Sequence, residues 1–240
     1  MKNIRSITIF FPFFNDEGTV ERQIRLAFQL GNELCGKNFE VIAIHGGRSK
    51  DKTRQKIKLM KEKFPALIII DKSNNKEGYA VIKHGFITAT KDWIFYTDGD
   101  AQYHLEEDLP KFVDAQAKTN ADVINGYKQT RKDPIWRVIL GDIYARIARY
   151  VFALPIRDVD CDCRLIRKSV LSEVELHARD ASILPEMIIK MQLAGARFTE
   201  VPVTHYERVW GSSNYKTLDL VREKIWGDFQ LYLTTRKYNA

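Results

Sequence analysis

Two carboxylates separated by one glycine directly follow an apolar segment in the middle of the chain. The segment is 93–97, the acids are Asp98 and Asp100, and Gln102 stands two residues later. Hard oxygen donors of this kind suit Mg²⁺ or Mn²⁺, which can also bind a diphosphate and neutralise its charge as it leaves. The same residues would also occur in an Asp-Gly turn that only ends the strand and binds no metal. These residues alone leave both interpretations open.

The segments around these acids alternate between strand-like and helix-like patterns. Short apolar runs predict strands at 7–14, 39–44, 66–70 and 93–97. Helical spacing predicts a helix capped by Thr19 and further helices at 51–64 and 79–89. Such alternation is typical of an α/β fold with a mainly parallel sheet and helices on both faces, whose ligands bind beyond the carboxyl ends of the strands. Asp98 and Asp100 are expected at that edge.

The second half of the chain is less regular. Its patterns predict helices at 105–118, 135–153, 185–193 and 218–233, and strands at 122–127, 164–166 and 198–203. No internal repeat and no linker-like composition interrupts it. A single domain is therefore predicted.

Composition narrows the class of protein. The 240 residues are 45% hydrophobic and 29% charged, a globular profile that argues against disorder and low complexity. No apolar run approaches the roughly 20 residues of a membrane helix, and the first residues lack a signal-peptide pattern. The three cysteines form no disulfide framework. We expect a cytoplasmic chain, and its net charge of +7 indicates an anionic partner.

Five segments, taken in order, resemble the motifs of family 2 glycosyltransferases of the GT-A fold. The resemblance is strongest to the dolichyl-phosphate mannose and polyprenyl-phosphate glucose synthases, and it extends over nearly the whole chain. The segments are Phe-Pro-Phe-Phe-Asn-Asp-Glu at 11–17, Asp-Gly-Asp-Ala-Gln at 98–102, Arg-Asp to Arg-Leu-Ile at 157–166, Leu-Pro-Glu at 184–186, and Glu-Val-Pro-Val with the following arginine and Gly-Ser-Ser at 200–213. Each match is weak alone, and their common order makes the set specific.

This resemblance implies a role for each matching residue. Mg²⁺ or Mn²⁺ would be held by Asp98, Asp100 and Gln102, with Asp98 also near the ribose or diphosphate of a nucleotide sugar. The nucleobase and ribose pocket would be lined by Pro12, Phe14 and Asp16. The diphosphate would be covered by Arg208 and Ser213. The single GT-A domain would then comprise a nucleotide-binding half (1–104), an acceptor-side half (105–215) and a C-terminal amphipathic helix (216–240).

The chain departs from the family pattern at three places. His45 and Gly46 replace an acidic pair that helps to read the nucleobase, so the choice between UDP and GDP stays open, and His45 itself could contact the base or a phosphate. Cys161-Asp162-Cys163 replaces Ser-Gly-Phe, and without a second ligand pair the cysteines are interpreted as structural thiols. Asn214 replaces a lysine that would contact phosphate.

Much of the positive charge lies between residues 128 and 157, where seven basic residues stand against two acidic ones. A solvated helix face is the ordinary use of such charge. Its concentration favours instead a peripheral membrane surface and an acceptor phosphate, with Arg131 and Arg137 as candidate ligands. The last helix could lie on the membrane, pack on the domain, or pair with a second subunit as a homodimer. No nucleic-acid-binding motif accompanies the charge.

Together these features predict an inverting, metal-dependent hexosyltransferase at the cytoplasmic face of the membrane. It would move a hexose from a UDP- or GDP-sugar to a polyprenyl phosphate, an acceptor that is already anionic and needs positioning more than a base. A saccharide hydroxyl is the alternative acceptor and would need a general base, Asp158 first and Glu186 second. A catalytically weak GT-A scaffold that binds a nucleotide is the other alternative, suggested by His45 and Gly46.

Overall fold

A seven-stranded sheet forms the centre of the computed structural model, which describes residues 4–74, 78–131, 135–211 and 218–235. At 131, 135–137, 218–223 and 235 it describes the backbone only. The strands are β1 (Ile7–Phe13), β2 (Phe39–His45), β3 (Ile68–Asp71), β4 (Trp93–Thr97), β5 (Val123–Arg131), β6 (Cys163–Arg167) and β7 (Phe198–His205). Their order across the sheet is β3-β2-β1-β4-β6-β5-β7, and β6 runs antiparallel to both of its neighbours. The predicted fold class, α/β with a mainly parallel sheet, is confirmed.

Helices accompany the strands along the whole chain. They are α1 (Val20–Cys35), α2 (Thr53–Lys63), α3 (Ile82–Thr88), α4 (Leu105–Thr119), α5 (Ile135–Val151), α6 (Lys168–Ser172), α7 (Ile183–Leu193) and α8 (Leu218–Thr235), and a 3₁₀ turn (Gly78–Val81) precedes α3. All the predicted helices and strands occur, with bounds that differ by a few residues. The short α6 was not predicted, because five residues are too few to show a helical period.

Two apolar clusters pack against the sheet. Ile24 of α1 and Leu109 of α4 belong to one cluster, whereas Ile82 of α3 and Met187 of α7 belong to the other. The central strands β1 and β4 contribute to both clusters, so they are covered on both sides. This explains why their sequences are continuous apolar runs rather than alternating ones. They form a rigid base for the residues that follow them at the carboxyl edge.

Thr19 ties the start of α1 to the turn after β4. Its hydroxyl donates to the carbonyl oxygen of Gly99 at 2.6 Å, the carbonyl oxygen of Asp16 lies 3.0 Å away, and its side chain makes no capping hydrogen bond. Thr19 is the N-cap residue of α1, as predicted, but its side chain does not make the capping hydrogen bond that this role normally includes. The hydroxyl donates to carbonyl oxygens of two adjacent turns, and it accepts no helix N–H because Thr19 has helix-like dihedrals (φ −111°, ψ −21°) rather than the extended ones of a capping side chain.

The antiparallel direction of β6 brings its first residue to the functional edge. Thr97 at the end of β4 pairs with Cys163 at the start of β6. Because antiparallel neighbours run in opposite directions, the next opposed positions beyond this pair are Asp98 and Asp162. The two acids thus come from opposite halves of the chain and stand on adjacent strands.

Gly99→Ala is expected to destabilise the protein, because a Cβ at this position would lie 2.2 Å from the Phe13 ring and 2.8 Å from the Pro12 carbonyl oxygen. Overpacking of this kind costs about 1–3 kcal/mol. Gly46→Ala is the matched control, since the nearest atom to its Cβ would be a methyl carbon of Val81 at 3.1 Å, and its three nearest atoms include no backbone atom. Urea denaturation of both variants checks the expectation, and equal losses of stability would contradict it.

Candidate active site

The turn after β4 presents the two predicted metal-binding acids. Asp98 is half-buried, and its Oδ1 accepts the hydroxyl of Tyr79 at 2.9 Å. Asp100 is buried, and its Oδ1 accepts the backbone N–H of Gln102 at 3.0 Å. Burial raises the pKa of Asp98, and the carboxylates of Asp162 and Asp100 raise it further. The raised pKa means that Asp98 tends to keep its proton here, and a bound cation would favour the ionised form.

Arg208 supplies a cation to this turn. Its guanidinium donates through Nη2 to Asp100 Oδ2 at 2.5 Å and through Nη1 to Asp16 Oδ1 at 3.4 Å. The loop that carries it is anchored to Gln102, whose Nε2 donates to the Tyr206 carbonyl oxygen at 2.9 Å and whose carbonyl accepts the Tyr206 N–H at 2.8 Å. The structure thus brings together Asp16, Asp100 and Arg208, three residues that the motifs assigned to one site.

The turn after β1 holds the other residues predicted for the nucleotide. Pro12 accepts the N–H of Gly99 at 3.1 Å, which joins this turn to the one after β4. The N–H of half-buried Phe14 donates to Asp16 Oδ2 at 2.8 Å, and the N–H of Asp16 donates to the Thr53 hydroxyl at 2.7 Å. Burial raises the pKa of Asp16 to about 7, against the opposing effects of the Phe14 N–H and Arg208.

His45 is the last residue of β2 and lies at the same edge of the sheet, paired with Phe13 of β1. It is buried, its Nε2 lies 2.9 Å from the Ser49 hydroxyl, and its Nδ1 lies 3.5 Å from Asp71 Oδ1. Burial lowers the pKa of His45 although Asp71 opposes that effect, so the imidazole is mostly neutral near pH 7. The protein thus provides partners for both ring nitrogens.

Asp162 is an acid to which the sequence analysis assigned no role. The Tyr79 hydroxyl that donates to Asp98 is also within hydrogen-bond reach of Asp162. Burial raises the pKa of Asp162, while Arg164 and Lys128 lower it. The neighbouring Cys161 is a buried free thiol, and burial raises its pKa to about 12, as expected of a structural thiol. The only sequence signal was the Asp at a position where the family pattern has Gly.

Asp158, the first predicted general base, pairs with Lys128 of β5. Its Oδ2 accepts the Lys128 backbone N–H at 2.9 Å, and its Oδ1 lies 3.5 Å from Lys128 Nζ, which also donates to the Asp160 carbonyl oxygen at 2.6 Å. Burial lowers the pKa of Lys128, but the surrounding acids, Asp158 first, raise it overall, so the lysine is charged. The sequence analysis counted Lys128 only as the start of the basic stretch and did not predict these contacts.

Glu186, the other predicted base, is held by structural contacts. Its carboxylate accepts the backbone N–H groups of His177 and Ala178 at 2.9–3.1 Å and pairs with Lys190 Nζ at 2.8 Å. These contacts anchor the segment before α7. The catalytic role of Glu186 stays a prediction.

The donor set at the β4 turn is suited to a hard divalent cation. Asp98 and Asp100 offer two carboxylates, and Asp100 already holds the positive charge of Arg208. Within the described ranges, no three His, Cys, Asp or Glu side chains are grouped as a complete metal site. Mg²⁺ commonly takes only one or two carboxylates and completes its shell with substrate phosphates and water. The residues present therefore fit a metal that binds together with a diphosphate.

Three predicted ligands cannot be placed. Ser213 lies outside the described residues, as does Asn214. Arg131 ends β5 and Arg137 lies in the first turns of α5, but the structure describes only their backbones.

The family model for "Glycosyl transferase family 2" matches residues 8–175, which is more than half of the chain. The protein belongs to this family. Among curated relatives, the undecaprenyl-phosphate 4-deoxy-4-formamido-L-arabinose transferase of Salmonella paratyphi B is 26% identical over 218 residues, 91% of this chain. The chain spans 65% of the length of that relative, just under two thirds.

Two solved structures have the same fold. Glucosyl-3-phosphoglycerate synthase from Mycobacterium tuberculosis, in complex with Mn²⁺, UDP and phosphoglyceric acid, aligns with a TM-score of 0.65 at 14% identity, covering 95% of this chain and 78% of the other. A mannosyltransferase from Pyrobaculum calidifontis, in complex with GDP-Man and Mn²⁺, aligns with a TM-score of 0.63 at 18% identity, covering 88% and 59%. The predicted GT-A fold and the family resemblance are confirmed.

Asp16→Asn is expected to remove part of the pH dependence of stability in metal-free protein. Because the pKa of Asp16 is raised to about 7, the folded protein keeps a proton that the unfolded chain loses at about pH 4. This contribution favours folding at low pH and is lost as the pH rises through 7. Between pH 6 and pH 8, wild type should lose about 1 kcal/mol more unfolding free energy than the variant. Identical pH dependence in urea denaturation would contradict this.

Proposed function

We propose that the protein is an inverting glycosyltransferase that uses Mg²⁺ or Mn²⁺ and transfers a hexose from a nucleotide sugar to a polyprenyl phosphate. The observation that carries this proposal is the guanidinium of Arg208 between Asp16 and Asp100. A cation and two carboxylates from distant parts of the chain meet where α/β folds bind ligands. They match the charges of a diphosphate bound with a divalent metal. The nucleotide and Mn²⁺ in the two structural neighbours support the same assignment.

The donor would bind across the turns after β1, β2 and β4. Pro12, Phe14 and the neutral His45 would contact the base and ribose, and Asp16 would accept a ribose hydroxyl. When bound, the metal at Asp98 and Asp100, with Gln102 beside them, would neutralise charge on the leaving diphosphate. Arg208 would release Asp100 and donate to the diphosphate, for which a guanidinium has the right fork geometry. Ser213 is expected to contact the diphosphate together with Arg208.

The acceptor would approach from the side of β5. The curated relative acts on undecaprenyl phosphate, according to its name, and this supports a lipid phosphate here. Lys128 is a charged side chain on this side, while Arg131 and Arg137 stay predicted ligands. The acceptor oxygen would attack the sugar C1 opposite the diphosphate, breaking the bond from C1 to the diphosphate oxygen and inverting the configuration at C1.

A phosphate acceptor agrees with the contacts of the two predicted bases. Asp158 pairs with Lys128, and Glu186 is held by two backbone N–H groups and Lys190. Anionic phosphate attacks without giving up a proton, so charge compensation and alignment suffice. A saccharide hydroxyl would require Asp158 or Glu186 to leave these partners and accept a proton. The phosphate acceptor is therefore the better supported of the two.

A second feature supports a lipid acceptor, namely the exposed apolar side chains of the neighbouring helices α5 and α8. The two helices are joined by Tyr144, whose hydroxyl donates to Asp228 Oδ2 at 2.8 Å and whose ring lies 4.5 Å from Lys224 Nζ. Large side chains exposed on them are Ile139, Leu140, Ile143, Ile147, Tyr150, Ile225, Trp226, Phe229 and Leu233. Exposed Arg146 and Arg149 stand among them. Apolar and basic side chains on one helix pair are the pattern of a surface that binds anionic lipid.

None of the described helices is both long enough and apolar enough to cross a bilayer. We propose a peripheral contact with the membrane, made by the exposed side chains of α5 and α8.

UDP or GDP is expected to raise the melting temperature of the wild-type protein when Mn²⁺ is present. A ligand at a hundred times its Kd stabilises by about 2.7 kcal/mol. Asp100→Asn should lose the Mn²⁺-dependent part of this shift. Asp114→Asn is the matched control, because Asp114 is an exposed acid that pairs with Lys118 on α4, and it should respond like wild type.

Two outcomes would overturn these assignments. If neither nucleotide shifts the wild-type melting temperature at any Mn²⁺ concentration, the donor site is refuted. If Asp100→Asn keeps a full Mn²⁺-dependent shift, Asp100 is not a metal ligand.

Substitution of Trp226 and Phe229 by Ser together is expected to weaken binding to vesicles of phosphatidylglycerol by about a hundredfold or more, since each buried apolar side chain contributes about 1.5–3 kcal/mol. Leu59→Ser, at an exposed apolar position on α2, is the control and should bind like wild type. Co-sedimentation measures both. Equal binding of the double variant would contradict the membrane surface, and a wild-type dimer that the double variant dissociates would assign this surface to a second subunit.

A further inference from the structure

Functional side chains follow the order of the strands along one edge of the sheet. His45 ends β2, Asp16 follows β1, and Asp98 and Asp100 follow β4. The next strand across the sheet is β6, and then β5 with Lys128 near its end. In the proposed function, the diphosphate lies at Asp100 and the acceptor arrives beside β5. The transferred sugar must then lie between them, over the start of β6.

Asp162 stands at the start of β6. It is opposite Asp98 when the register of β4 and β6 is continued by one residue. Its Oδ1 is buried, and no described residue donates a hydrogen bond to that atom. A buried carboxylate oxygen without a donor costs free energy. A ligand that brings a hydroxyl to this atom would recover that cost.

The charges around Asp162 restrict the chemical class of that ligand. Asp98 and Asp160 are nearby acids, and Lys128 and Arg164 offset them in part. A sugar hydroxyl donates to a carboxylate without adding charge. A carboxylate on the sugar would place a second negative group against Asp162 and would have no proton to donate at neutral pH.

We infer that Asp162 determines donor specificity, with its Oδ1 accepting a hydrogen bond from a hydroxyl of a neutral hexose and its charge excluding uronic acids. The inference rests on the proposed function, because that function places the sugar at this strand. It goes further by naming the residue that selects the class of sugar. The same residue is a departure from the family pattern, which has Gly at this position.

Calorimetry with the full chain and Mn²⁺ tests the inference. The probes are UDP, UDP-glucose and UDP-glucuronic acid, or GDP, GDP-mannose and GDP-mannuronic acid if GDP is the nucleotide that binds. Wild type should bind the neutral sugar nucleotide at least about tenfold more tightly than the acidic one, which is the usual size of a hydrogen bond to a charged group. In Asp162→Asn this preference should fall by about tenfold, with the Kd of the free nucleotide unchanged.

Asp160→Asn is the matched control. Asp160 lies two residues away, and its carboxylate pairs with Lys224 of α8 at 3.2 Å. This variant loses the same charge from the same segment and should keep the wild-type preference. Asp162→Gly, which restores the family residue, serves as the second variant if Asp162→Asn folds poorly, and it should also lose the preference.

The outcomes separate this inference from the function on which it rests. Free nucleotide that binds in all variants, together with an unchanged preference in Asp162→Asn and Asp162→Gly, would overturn the role of Asp162 alone. Equal affinity of the wild-type protein for acidic and neutral donors would also overturn the role of Asp162. Failure of both free UDP and free GDP to bind wild type would overturn the proposed function itself.

Discussion

A group of buried and half-buried acidic side chains at one edge of the sheet is the constraint on which the site depends. Asp16, Asp98, Asp100 and Asp162 stand at this edge, and burial raises the pKa of three of them, Asp16, Asp98 and Asp162. Such a group of acids is stable only if cations and hydrogen-bond donors compensate it. Arg208 provides one cation and Tyr79 one donor. A bound metal ion and diphosphate would replace Arg208 and Tyr79 as partners of these acids.

The topology of the sheet explains how so many acids come together. Parallel strands bring the ends of β1, β2 and β4 to one edge, which collects residues from the first half of the chain. The antiparallel β6 then contributes its beginning to that same edge, and with it Asp162 and the segment that carries Asp158. One reversed strand therefore brings residues of the second half of the chain next to Asp98 and Asp100. A fully parallel sheet would have put the start of β6 at the opposite edge.

Features that depend on local sequence were predicted well. A buried strand followed by Asp-Gly-Asp predicted both β4 and its acids, and ordered motifs predicted that Arg208 belongs with Asp16 and Asp100. Features that depend on pairing between distant segments were not predictable. Neither the direction of β6 nor the ion pair of Lys128 with Asp158 has a sequence signature. Thr19 shows the same limit, since its hydroxyl bonds to Gly99, 80 residues away.

The most direct test of the central claim is the mass of the product formed from undecaprenyl phosphate, Mn²⁺ and a panel of UDP- and GDP-sugars. The account predicts a glycosyl undecaprenyl phosphate, heavier than the acceptor by one hexose residue, with inverted configuration at C1, and none of it from Asp100→Asn. Transfer to a saccharide hydroxyl with no lipid product, or equal lipid product from Asp100→Asn, would contradict it.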